Sequence, residues 1–128
     1  MKRKAITAAI IGLLAEALPE VSWQERISGA ARSKAVEGSV TNDRISYQYD
    51  DKVCLVATGL YYIYIVDANS VESVDEMADV AFKALNDDDL GGLAIVGEVK
   101  RVIYGSPQGK PQAGVALLEY EVTYYEEV

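Results

Sequence analysis

Residues that could do chemistry form a short set in this chain. Asp87-Asp88-Asp89 is the densest charge cluster, and carboxylate oxygens suit Mg or Ca. Its spacing departs from the calcium-loop pattern, which alternates ligands and places glycine sixth. Three adjacent carboxylates point in different directions, so a solvated turn at a helix end accounts for them equally. Glu119 and Glu121 share one strand parity and lie ~7 Å apart at ~3.4 Å per residue, a spacing found between glycosidase carboxylates. Plain strand alternation explains that pair too. Cys54 sits between Val53 and Leu55 and reads as a buried, inert thiol. The chain has no histidine and one cysteine, which excludes Ser-His-Asp and Cys-His pairs, His/Cys zinc sites and any internal disulfide. No cofactor fingerprint is present; Gly91-Gly92 lacks dinucleotide or P-loop spacing. An enzyme is therefore not expected.

Contact residues are the other class. Trp23 reads as a core anchor or an interface residue. Arg26, Arg32, Lys34 and Arg44 gather positive charge in an irregular stretch and suit partner binding. Tyr62 and Tyr64 put aromatic rings on the second face of a strand whose first face is already apolar.

The elements that must carry these residues follow from periodicity. Ile6, Ile10, Leu13, Leu14 and Ala17 make one stripe of a helix over 2–18, stopped by Pro19. The opening Met1-Lys2-Arg3-Lys4 has the outline of a signal peptide, but Glu16 and Glu20 soon follow and the pattern is helical. A short strand around Val21 and Trp23 is possible, and a long flexible loop is expected at about 26–44. Ile45, Tyr47 and Tyr49 alternate as a strand. Asp50-Asp51-Lys52 turns the chain into a second strand, 53–66, apolar on both parities and so central, with Gly59 marking a bulge. Ser70 or Ser73 caps a helix whose stripe is Val71, Val74, Met77, Ala78, Ala81, Phe82 and Leu85. Two strands follow, 93–104 with a bulge near Lys100-Arg101, and 114–125, joined by a hairpin loop at about 105–113. All nine tyrosines fall in these strands.

The expected fold is α+β, one domain over 1–128: a two-layer sandwich of a mainly antiparallel four-stranded sheet with two helices on one face. The net charge of −8 argues against nucleic acid as a main partner. No apolar run approaches the ~20 residues of a membrane span. Residues 1–50 carry 7 Lys+Arg and 6 Asp+Glu, whereas 51–128 carry 5 and 14. That asymmetry favours head-to-tail meeting of copies.

Four stretches together resemble the tail terminator and tail completion (minor tail) proteins of long-tailed bacteriophages. They are the first helix ending in Ala17-Leu18-Pro19-Glu20-Val21, the strand Leu60–Val66 leading into the acidic helix 71–85, Leu90-Gly91-Gly92-Leu93, and the closing strand Leu117–Tyr124 with its L-x-Y-x-V-x-Y pattern. The resemblance implies a virion-tail protein without cofactor or catalytic residues. It implies a ring, hexameric in the family, that caps the tail tube, ends tail polymerisation and meets a head-completion or connector protein. The loops 26–44 and 105–113 would then help form ring and tube contacts. Alternatives are another head–tail joining or minor tail protein, or a small-molecule-binding regulatory α+β domain, which would need a closed apolar cavity.

Overall fold

A computed structural model describes residues 2–24, 36–49, 54–86, 88–106 and 112–127. The first helix, α1, spans Lys2–Ala17 and buries Ile6, Ile10 and Leu14 from one stripe. The amide of Leu18 still donates to the Leu14 carbonyl at 2.7 Å. Pro19 then ends the helix, and the chain turns into a three-residue strand, β1 (Ser22–Gln24). Next come β2 (Val36–Tyr49) and β3 (Cys54–Asp67). The second helix, α2 (Val71–Leu85), begins at Ser70, whose hydroxyl accepts from the Ser73 amide at 3.0 Å. Ser70 is therefore the cap, and Ser73 lies inside the helix. A single 3-10 turn (Leu90–Gly92) leads to β4 (Val96–Gly105) and β5 (Gly114–Glu127). Leu90, Gly91 and Gly92 all take positive φ there, which the two glycines tolerate without strain.

The sheet has five strands, not four, in the order β1-β2-β3-β5-β4. β1 runs parallel to β2; every other pairing is antiparallel. The short strand expected around Val21 and Trp23 is β1, and it joins the sheet as the fifth strand, at its edge. β2 begins at Val36, so residues 36–44, expected as part of a loop, are strand. Their composition misleads. Gly38 is bare because the Trp23 ring lies across it, where a Cβ would collide. Glu37 and Ser39 are polar yet buried. The remainder of the expected loop, together with the 50–53 turn and 107–111 of the hairpin loop, lies outside the described residues.

The bulge in the β2–β3 ladder falls at Asp43, between Asn42 and Arg44, and not at Gly59. Gly59 keeps its register with Ile45 and Val122. It is needed for room: a Cβ there would lie 3.0 Å from the Tyr61 ring. The expected bulge near Lys100 is present, with the register shifting between Val99 and Arg101.

One parity of each central strand is buried. Ala57, Tyr61, Ile63 and Ile65 of β3 lie beside Ala116, Leu118, Tyr120, Val122 and Tyr124 of β5. Both helices pack over this face in a single core, with α1 on α2. Each fully buried aliphatic side chain contributes about 2–3 kcal/mol through area removed from water. The Tyr120 hydroxyl donates to the Leu85 carbonyl at 3.1 Å, and the Val99 amide donates to Asn86 Oδ1 at 3.1 Å. These two bonds tie the end of α2 to the sheet.

Candidate functional site

Among the described residues no helix lies on the opposite face of the sheet, and of its side chains only the polar Glu37 and Ser39, at the β2 end, are buried. Its rows follow from the register of β2, β3, β5 and β4. One row runs Ser39, Tyr64, Leu117, Ile103; the next runs Thr41, Tyr62, Glu119, Arg101. Arg44 and Leu60 head the row beyond, which continues through Glu121 and Glu98. Tyr62, Tyr64, Leu60 and Leu117 are half-buried, and Ile103 is 41% exposed. Val96 and Tyr125 add apolar surface at the far end.

Across this face run fixed charges. Arg101 donates through Nε and Nη2 to the two Glu119 oxygens at 2.6 and 2.9 Å, a bidentate pair. That guanidinium holds the Glu119 carboxyl below the usual carboxylate range. Lys100, at the bulge, lies 3.0 Å from Glu98 and 3.8 Å from Glu121. The Glu98 hydrogen bond raises the Lys100 ammonium above its ordinary value. The bulge explains why Lys100 and Arg101, neighbours in sequence, both reach this face.

The structure thus gathers Arg44, Tyr62 and Tyr64 on one surface. Arg44 is well exposed, with Asp43 4.0 Å away. Trp23 lies on the other side of the sheet, over Gly38, and its Nε1 donates to the Leu18 carbonyl at 3.3 Å. Arg26, Arg32, Lys34 and Asp87 lie outside the described residues. Asp88 and Asp89 shape the turn after α2: Asp88 Oδ1 accepts from the Leu90 amide at 2.7 Å, and the Asp89 carbonyl accepts from Gly92 and Ala94. Among the described residues no three metal-ligating side chains come together. Ile103, Leu117 and the Arg101–Glu119 pair escape sequence reading. The signal for the first two is an apolar side chain on the strand parity that otherwise carries polar residues.

Two further features bear on contact. The outer edge of β4 pairs with no strand among the described residues, and β1 covers β2 only at Glu37–Ser39. A groove of about 570 Å³, open to solvent, lies between the start of α2 and the end of β4, lined by Val71, Asp75, Tyr104, Gly105, Ser106 and Val115. It is not the closed apolar cavity that a small-molecule module needs.

No family model matches the chain, and no curated protein matches it by sequence. Its fold is shared with a solved chain. A structure described as the virion of a native gene transfer agent particle contains a chain that matches at a TM-score of 0.68 and 14% identity, over 94% of each chain. No helix among the described residues is long and apolar enough to cross a membrane.

Proposed function

We propose that this protein is a structural component of a phage-like virion, and within it a tail terminator or tail completion protein. It forms a ring on the end of the tail tube, stops the tube's growth and offers a surface for joining the head. It is not an enzyme on this reading. The observation that carries the reading is the sheet face that no described helix covers, where an apolar row (Tyr64, Leu117, Ile103) borders charges locked in pairs. A lone small domain gains nothing from leaving such a face bare, whereas a subunit that covers it on assembly does. The fold shared with a virion chain supports the same reading.

The test is a tube-capping assay. The protein is added to polymerising tail tube protein, and tube lengths are measured by electron microscopy. Short, uniform, capped tubes are expected, and Leu117→Asp with Ile103→Asp should abolish capping while the monomer stays folded. Tubes that lengthen regardless of the protein would sink the reading. Native mass against concentration, with and without magnesium, then gives the ring size.

A further inference from the structure

The two charge-rich helix ends lie at opposite poles of the molecule. The first turn of α1 is held at the far end of β5, where the Lys2 amide donates to the Glu126 carboxylate at 3.3 Å. The first turn of α2 is held at the near end, where Gly114 sits so close that a Cβ would lie 2.7 Å from Val71 Cα. From Gly114 to Glu126 the strand spans about 40 Å at ~3.4 Å per residue. The first pole carries Lys2, Arg3 and Lys4, with Arg3 and Lys4 exposed. The second carries Glu72, Asp75, Glu76 and Asp79, all exposed.

The acidic pole also holds the open groove. Asp75 lines it beside the apolar Val71 and Val115 and the Tyr104 ring, which is 52% exposed. A carboxylate next to an aromatic ring and an aliphatic wall fits the head and the methylene stem of an Arg or Lys side chain. Among the described residues, the basic side chains of the same copy that come nearest are paired elsewhere or lie at the far pole. Lys83 pairs with Asp79 at 3.0 Å, Lys100 and Arg101 pair on the other sheet face, and the α1 turn is a strand's length away.

We propose that this groove receives the Lys2-Arg3-Lys4 turn of a second copy of the chain. The joint links two different surfaces, so it is heterologous, and repetition closes it into a ring or runs it into a filament. It deepens the tail-ring reading and rests on that reading for closure alone.

The test uses the full chain and two neutralised variants, Arg3→Gln/Lys4→Gln and Asp75→Asn/Glu76→Gln. Sedimentation at ~50 mM salt should show self-association of the wild type, weakened about tenfold or more at ~500 mM salt. Each variant alone should associate about tenfold or more weakly than wild type. An equimolar mixture should form a one-to-one dimer and stop, because each pair keeps one working joint. A misfolded variant could not form that dimer, so folding and contact are separated. A wild-type monomer at every soluble concentration, or variants that assemble like wild type, overturns the proposal. Either result leaves the tail reading to the capping assay, and a failed capping assay leaves the mixing result to judge the joint.

Discussion

The two faces of one sheet show what a strand residue does with and without a helix above it. Leu117 and Leu118 are neighbours on β5. Leu118 is wholly buried under the helices and faces Ile63, whereas Leu117 is half-buried on the bare face beside Tyr64. The covered face is closed by packing and by hydrogen bonds to α2. The bare face is closed by nothing in the described chain, and its charges are paired sideways along the sheet. The first face holds the fold, and the second is free to serve contact.

The strongest way to break this contrast is to truncate both leucines. Leu118→Ala should cost about 3 kcal/mol of unfolding free energy, from lost burial and a cavity that cannot collapse. Leu117→Ala should cost under about 1 kcal/mol in the monomer, yet weaken assembly and tube capping. Urea unfolding with sedimentation checks both. Equal losses of stability would mean that the faces are not different in kind.

Two glycines sharpen the contrast next. A Cβ on Gly114 meets the backbone of Ser70 and Val71 as well as the Val74 side chain, and backbone cannot rotate away. Gly114→Ala should therefore cost about 1–3 kcal/mol. A Cβ on Gly105 meets no atom within 4 Å. Gly105→Ala should leave the melting temperature nearly unchanged.

A third contrast concerns the tyrosines under α1. Tyr61 and Tyr124 are fully buried, and among the described residues their hydroxyls make no hydrogen bond of good geometry. Burial pushes the Tyr61 phenol up to about 12 and raises Tyr124 as well. A raised folded-state value means that stability is intact below the unfolded value of about 10 and is lost as pH rises through the folded one. Denaturant midpoints should fall progressively between about pH 10 and about pH 12. Tyr61→Phe should flatten that alkaline limb without loss of stability at neutral pH. An unchanged limb would assign the loss to other groups.

Much of this division is visible in the residues themselves. The parity of Ala116, Leu118, Tyr120, Val122 and Tyr124 marks the covered face, and the double apolarity of 53–66 marks the central strand. Both follow from the two-residue period of a strand. Residues 36–44 hide theirs, because Gly38 makes room for Trp23 and because Glu37 and Ser39 are buried polar groups. Tyr62 and Tyr64 can be picked out within their own strand. Ile103 and Leu117 cannot, since their importance lies in the row that joins four strands, and cross-strand register is a tertiary property. The groove at the α2 pole is hidden for the same reason: Val71 and Tyr104 are distant in sequence.

The smallest expected effect tests whether the bare face takes part in folding at all. Arg101 keeps the Glu119 carboxyl ionised to lower pH than usual. With a lowered folded-state value, this pair's contribution is complete above the unfolded value of about 4.3 and disappears as pH falls through the folded one. Arg101 is largely exposed, so solvent screens the pair and the acid-side loss is slight. Glu119→Gln should barely change the urea midpoint at pH 7 and should soften the acid limb only a little. Its effect on assembly should be larger, because it leaves the Arg101 cation unpaired next to Tyr62 and Leu117. A large drop in monomer stability with assembly unchanged would make the ion pair a structural clasp and would remove the main reason for reading this face as a contact surface.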